Sequence, residues 1–113
     1  MKIIKPSVEV LTPIDENEMM KRIELIARTC YKSEDLITDT SAERLVKRLI
    51  DSDHCAMLEH VSISVKVICD RGVSHEIVRH RMASYAQESQ RYCNYGKDKF
   101  GGEITFIKPC FWD

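Results

Sequence analysis

Residues Val61 to Val67 alternate between apolar and polar side chains without a fault. Successive side chains of a strand point to opposite faces, so this alternation predicts a β-strand with one buried and one solvated face. Such half-buried strands pair in antiparallel sheets. Shorter strands are predicted at residues 8–11 and 104–107, and we expect them to contribute to the sheet.

Two helical patterns precede this strand. In the first, Thr12 is expected to be the N-cap, with Pro13 at the first helical position and Asp15 completing a capping box. The apolar stripe of this helix, over roughly residues 14–31, consists of Met19, Ile23, Ile26, Ala27 and Cys30. A second capping box at residues 40–43 begins a helix that ends at residues 51–53 and whose buried face is predicted to hold Leu45, Val46, Leu49 and Ile50.

A third helix is predicted from Val73 to about Met82, and a flexible loop over residues 96–102. Residues 84–95 are too polar and too mixed to assign. The pattern predicts one α+β domain over residues 1–113, an antiparallel sheet packed with helices.

Charge and composition limit the possible partners. The net charge is −1, which argues against the broad basic field that drives non-specific nucleic-acid binding. No apolar run approaches the roughly 20 residues that span a bilayer, and the N-terminus is too short and too charged for a signal peptide. These features predict a cytoplasmic protein with no nucleic-acid or membrane partner. Phe106, Phe111 and Trp112 are expected to expose apolar surface and favour a homo-oligomer.

The five cysteines are odd in number and include no Cys-x-x-Cys pair. Reduced thiols are the favoured interpretation. Zinc binding through His54, Cys55 and His60 is the alternative, but no second ligand pair at finger-like spacing supports it, so no metal site is assigned.

The chemistry-bearing residues concentrate between Arg79 and Tyr92. Arginine forks suit phosphate oxygens, serine hydroxyls and Gln87 add hydrogen-bonding groups, and the tyrosines offer flat faces. This combination favours a phosphorylated ligand with a planar ring, a nucleotide or a flavin dinucleotide.

A solvated helix end is the simpler alternative for an isolated Arg-His-Arg. Ser89 and Arg91, two residues apart, suit an extended or turning segment that presents both to one phosphate.

This pattern resembles a known family. Arg79-His80-Arg81, seven further residues and then Ser89 match the signature of the flavin-dependent thymidylate synthases, and the resemblance continues through Arg91-Tyr92. Residues 54–60 also resemble the family's His-to-Glu-His segment. The resemblance covers most of this chain but only about the first half of the family's catalytic domain.

The resemblance implies a reaction and its partners. Methylenetetrahydrofolate would donate a one-carbon unit to dUMP, NADPH would reduce FAD, and dTMP would be the product. The family assembles as a homo-oligomer, a tetramer, with FAD sites shared between subunits. The arginine that activates the uracil ring belongs to the family's C-terminal half, so no catalytic residue is assigned here, and the isolated chain is expected to be inactive.

The resemblance also implies the binding residues. Those expected at FAD are Ala56 through its backbone, Arg79, His80, Arg81 and Gln87. Those expected at the substrate are His54, Glu76, Arg79, Gln87, Glu88, Ser89, Gln90 and Arg91. Two positions depart from the family: Glu76 stands where glutamine is usual, and Ala86-Gln87 stands where Asn-Glu is most common.

Two other functions remain open. The chain could be a non-catalytic flavin- or nucleotide-binding relative. A small nucleic-acid-binding protein that uses Arg79, Arg81 and Arg91 is a weaker alternative, because the near-neutral net charge argues against it.

Overall fold

A computed structural model describes residues 1–109, 111 and 112. Asp113 and Cys110, which is one of the five cysteines, lie outside the described residues. The strands are β1 (Lys2–Ile4), β2 (Ser7–Val10), β3 (Val65–Ile68) and β4 (Thr105–Ile107). The helices are α1 (Glu16–Thr29), α2 (Ser41–Asp51) and α3 (Arg71–Ile77), with 3₁₀ helices at Glu34–Leu36, Cys55–His60 and Asp98–Phe100. This mixture of helices and small sheets confirms the α+β class.

The chain divides into two compact units, Val10–Val65 and Met1–Glu9 together with Lys66–Asp113. The core of the Val10–Val65 unit lies between α1 and α2, and its buried apolar side chains are Ile23, Ala27, Ala42 and Leu45. The predicted stripes were correct for Ile23, Ala27 and Leu45, whereas Cys30 and Ile50 are exposed. The single-domain interpretation stays a prediction.

Both predicted capping boxes were wrong in detail. Asp15 is the N-cap of α1, and its Oδ1 accepts a hydrogen bond from the Glu18 amide at 3.1 Å. Thr12 lies outside the helix, where its Oγ1 accepts from the Ser64 amide at 2.7 Å. At α2, the Thr40 side chain makes no capping bond. At α1, the Ser64 amide therefore took the side chain that the sequence assigned to capping.

A buried carboxylate joins the two long helices. Glu24 is 1% exposed, and its Oε1 accepts from Arg28 Nη2 at 3.0 Å and Nε at 3.2 Å. Ser41 Oγ, at the start of α2, lies 2.9 Å from the other carboxylate oxygen. Ser41 Oγ in turn accepts from the Thr38 amide at 2.8 Å. Each carboxylate oxygen thus has a partner, which offsets the cost of burying the charge.

The strands form two separate two-stranded sheets. β1 and β4 pair in parallel, with Lys2 opposite Thr105 and Ile4 opposite Ile107. β2 pairs with β3, and the Leu11 amide after β2 donates to the Ser64 carbonyl before β3 at 2.8 Å, which makes that pair antiparallel. The prediction of one antiparallel sheet was therefore wrong for β1 and β4.

The strand predicted over Val61–Val67 is shorter and less buried than its alternation suggested. Residues 61–64 are irregular, and β3 begins at Val65. Val65 and Val67 are exposed rather than half-buried. Within the described part of the chain, no helix is long and apolar enough to cross a membrane.

The Glu24 contacts predict a large cost for a single substitution. Glu24→Ala should lower the free energy of unfolding by roughly 3 kcal/mol, because it leaves the mostly buried Arg28 guanidinium without its partner. Lys21→Ala is the matched control on the same helix, since the Lys21–Glu18 pair is exposed and its loss should change that free energy by less than about 0.5 kcal/mol. Urea denaturation measures both, and equal effects would contradict this account.

Candidate functional site

The helix that leads into the candidate site is short. Asp70 is the N-cap of α3, and its Oδ1 accepts from the Val73 amide at 3.1 Å. The predicted helix to about Met82 was wrong, because α3 ends at Ile77. The Arg79 and His80 amides donate instead to carbonyls three residues back, at 3.2 and 3.0 Å. Residues 79–81 therefore leave the helix in successive turns.

The arginines of this segment are exposed and available to a ligand. Arg79, Arg81 and Arg91 each lie at the surface. In the described part of the chain, none of these guanidinium groups lies within ion-pairing distance of a carboxylate. Their donor forks are therefore free for phosphate oxygens, the groups they match in geometry and charge.

Two side-chain hydrogen bonds define the path of the residues after α3. The Tyr85 hydroxyl donates to the His80 carbonyl at 2.7 Å. Gln87 Nε2 donates to Ser74 Oγ on α3 at 2.8 Å. Residues 81–88 contain no helix or strand. These two side-chain hydrogen bonds therefore position the segment, as backbone hydrogen bonds do in regular secondary structure.

Ser89 begins a turn that presents Arg91. The carbonyl of Ser89 accepts from the Tyr92 amide at 3.2 Å and from the Cys93 amide at 2.9 Å. The Ser89 hydroxyl oxygen also accepts from the Tyr92 amide, at 3.3 Å. Of the two conformations that the spacing allowed, the structure adopts the turning one.

Tyr92 is held by the residues that follow the turn. Its ring meets Phe100 edge to face, with centroids 6.0 Å apart and planes at 84°. Lys99 Nζ lies 5.6 Å from the centroid of the Tyr92 ring and 5.5 Å from that of Phe100, within cation–π range. This packing steadies the C-terminal end of the turn that carries Arg91.

Three predicted substrate residues, Glu76, Glu88 and Gln90, have exposed side chains. Among the described residues, neither His75 nor an arginine forms an ion pair with Glu76. The Glu76 charge is therefore not neutralised by a neighbour in this unit, and it would oppose a phosphate bound close by.

His54 and Ala56 belong to the other compact unit, Val10–Val65. The His54 amide donates to the Leu49 carbonyl at 2.8 Å, directly after α2. Asp53 adopts a left-handed conformation with φ of 56°, which aspartate tolerates better than most residues. The resulting reversal of the chain direction is followed by the 3₁₀ helix Cys55–His60. Ala56 is exposed on this helix.

The same reversal changes the chemistry of Cys55. Its thiol donates to Asp53 Oδ1 at 3.6 Å, and this hydrogen bond raises the pKa of Cys55. Desolvation and the negative charges of Asp53 and Glu59 act in the same direction. Burial, followed by the charge of Asp70, also raises the pKa of Cys69. Both thiols therefore hold their protons more tightly than an ordinary cysteine, so a smaller fraction of each is thiolate near neutral pH.

The four described cysteines, Cys30, Cys55, Cys69 and Cys93, are free thiols. Within the described residues, no group of three or more His, Cys, Asp and Glu side chains is placed to hold a metal ion.

Sequence reasoning missed the residues that support the site. Ser74 stands 13 residues before Gln87, and no local pattern links the two. The sequence suggests Tyr85 only as a flat ring face, whereas in the structure its hydroxyl donates to the backbone carbonyl of His80. Only Asp70 carried a local signal, since an aspartate three residues before Val73 is typical of an N-cap.

Comparisons with known proteins agree in pointing to one family. A family model described as thymidylate synthase complementing protein matches residues 13–112. The flavin-dependent thymidylate synthase of Mycobacterium marinum is 38% identical over 98 residues, which cover 83% of this chain. That of Geobacter sulfurreducens is 33% identical over 85 residues, or 69% of this chain. That of Pyrococcus furiosus is 35% identical over 74 residues, or 65% of this chain.

The matched region is a minor part of each relative. It covers 38% of the M. marinum protein, 37% of the G. sulfurreducens protein and 30% of the P. furiosus protein. No solved structure matches this chain.

The environment of Cys55 predicts a pH-dependent reactivity. Asp53→Asn removes the carboxylate that raises the thiol pKa, so at pH 8 a larger fraction of Cys55 should be thiolate and iodoacetamide should alkylate it faster. Asparagine also tolerates the left-handed backbone, so the loop should keep its shape. Peptide mass spectrometry across pH 7–9 gives the rate, with Cys69 as the internal control. An unchanged ratio of the two rates would contradict the assignment.

Proposed function

This chain belongs to the thymidylate synthase complementing protein family, and we propose that it supplies flavin- and nucleotide-binding residues of a flavin-dependent thymidylate synthase. The proposed reaction converts dUMP to dTMP with methylenetetrahydrofolate as the one-carbon donor and NADPH as the reductant. The observation that carries the proposal is the exposed segment Arg79–Arg91, whose three guanidinium groups have no carboxylate partner among the described residues.

The donor set of this segment fits FAD. A dinucleotide carries a pyrophosphate, and Arg79 and Arg81 offer unpaired forks of the geometry that phosphate oxygens accept. Gln87 offers a neutral amide for the edge of a planar ring, and His80 and the Ala56 backbone complete the proposed FAD contacts. FAD, when bound, supplies the redox chemistry, and the residues of this chain bind and orient it.

The turn that begins at Ser89 suits the phosphate of dUMP. The Ser89 hydroxyl oxygen accepts from the Tyr92 amide, which leaves the hydroxyl proton available to a phosphate oxygen. Arg91 stands on the same turn and supplies charge. We assign the remaining substrate contacts to His54, Glu76, Arg79, Gln87, Glu88 and Gln90.

The activity of the whole protein requires more than these residues. The chain spans 38% of the length of the M. marinum relative. The group that stabilises charge on the uracil ring is expected outside it, and the loss of one such electrostatic contact commonly slows catalysis by about 10²–10³. Binding, rather than turnover, is therefore the property that these residues can be tested for.

The phosphate contact gives the direct test of this function. Arg91→Ala should weaken dUMP binding by roughly 2–4 kcal/mol, because the phosphate loses a charged fork. Arg91→Lys should restore only part of the loss, since lysine offers a point charge. Isothermal titration of the chain measures both, with Arg44→Ala, an exposed arginine on α2, as the control that should bind normally. Equal affinity of the unmutated chain for dUMP and deoxyuridine would overturn the phosphate assignment.

We also propose that the chain works as a homo-oligomer. Phe106, Phe111 and Trp112 are 52%, 79% and 63% exposed, which is a large apolar surface for a small chain to leave in water. Light scattering at tens of micromolar should give a mass of at least a dimer. Phe106→Glu should shift that mass towards the monomer, because it places a charge in the apolar surface. A monomeric unmutated chain would contradict a shared site.

A further inference from the structure

The contact between Gln87 and Ser74 bears on the orientation of the Gln87 amide as well as on the position of the loop. Ser74 is half-buried on α3, whereas its neighbours Val73 and His75 are exposed. Its Oγ lies 2.8 Å from Gln87 Nε2 and 3.1 Å from the carbonyl oxygen of Arg71. One hydroxyl group thus has two hydrogen-bonding partners.

The hydroxyl of Ser74 is a donor to one partner and an acceptor from the other. The Arg71 carbonyl can only accept, so it takes the single proton that Ser74 has to donate. The Ser74 oxygen can then only accept from Gln87, which requires the amide nitrogen of Gln87 and not its oxygen to face Ser74. With the amide in this orientation, both contacts of Ser74 Oγ are hydrogen bonds.

We infer that Ser74 is a positioning residue that orients the Gln87 amide, so that its carbonyl oxygen and remaining N–H face a planar heterocycle with an imide edge. An imide places a carbonyl acceptor beside an N–H donor, and the exposed side of the amide offers the complementary pair. A carboxylate at residue 87 would compete with Arg71 for the Ser74 proton. The ligand part of this inference rests on the proposed function.

The orientation is tested without any ligand. The chain contains two glutamines, Gln87 and Gln90, so a ¹⁵N-labelled sample gives only two glutamine side-chain amide pairs, and Gln87→Ala assigns them. The Gln87 amide should have the smaller proton temperature coefficient, because one of its N–H groups is bonded. Ser74→Ala should shift the Gln87 pair and make its coefficient like that of Gln90, whereas Ser74→Thr should retain the bonded value.

Ser7→Ala is the matched control for these spectra. Ser7 is an exposed serine of the same unit, and no side-chain hydrogen bond joins it to Gln87. Its replacement should leave both glutamine pairs unchanged. If Ser74→Ala moves neither pair, or if Gln87 and Gln90 behave alike in the unmutated chain, the orientation is overturned.

Binding tests the ligand part. FAD and dUMP are titrated in turn against the unmutated chain, Ser74→Ala, Gln87→Ala and the double variant. Ser74→Ala should weaken the ligand whose imide edge meets Gln87 by three- to tenfold, and it should have no further effect when Gln87 is already alanine. Thermal unfolding of Ser74→Ala should match that of Ser7→Ala, which separates positioning from loss of structure.

The outcomes distinguish the two proposals. If the unmutated chain binds FAD or dUMP but the effects of the two substitutions multiply, the positioning role is overturned and the proposed function stands. If it binds neither, the proposed function is overturned and the imide-edge role with it, while the spectra still decide the Gln87 orientation.

Discussion

The Val10–Val65 unit depends on the buried carboxylate of Glu24. Among the described residues, few apolar side chains of α1 and α2 are buried, and the charged side chain of Glu24 is buried with them. Arg28 on the same helix and Ser41 on the next satisfy the carboxylate oxygens. Such a contact tolerates little change, because removal of either partner leaves a polar group buried without compensation. The loop that carries His54 and Ala56 follows directly from the helix that this contact anchors.

The candidate site in the other unit is positioned by side-chain hydrogen bonds on an irregular segment rather than by a buried charge. The α-helix α3 ends at Ile77, backbone hydrogen bonds of the tighter three-residue type continue to His80, and the contacts that follow come from side chains: Tyr85 to the His80 carbonyl, and Gln87 to Ser74. The arginine side chains are exposed on this irregular segment, whereas a continued helix would have spread Arg79 and Arg81 around its axis. This arrangement also makes the geometry of the site sensitive to single polar groups such as the Ser74 hydroxyl.

Much of the local structure could be predicted because its causes are local. Apolar spacing located α1 and α2 and most of their buried apolar residues, but neither Glu24 nor Ser41. Alternation located β3. Both patterns follow from the repeat of one element. Helix ends were less predictable. Asp15 and Thr12 both have side chains able to cap, and only the position of Ser64, 52 residues further on, decided that Thr12 was used elsewhere. The parallel pairing of β1 with β4 likewise joins the ends of the chain, where no short pattern reaches.

The sequence by itself determined the family, the arginine and serine chemistry of residues 79–91 and the helices that frame the core, because residue types and spacings carry that information directly. The tertiary structure decided what those residues present. It ended α3 before the arginines, turned the chain at Ser89 and set Ser74 against Gln87. The physical reason is that a hydrogen bond depends on which donor and acceptor meet in space, and a hydroxyl with one proton can satisfy only one acceptor.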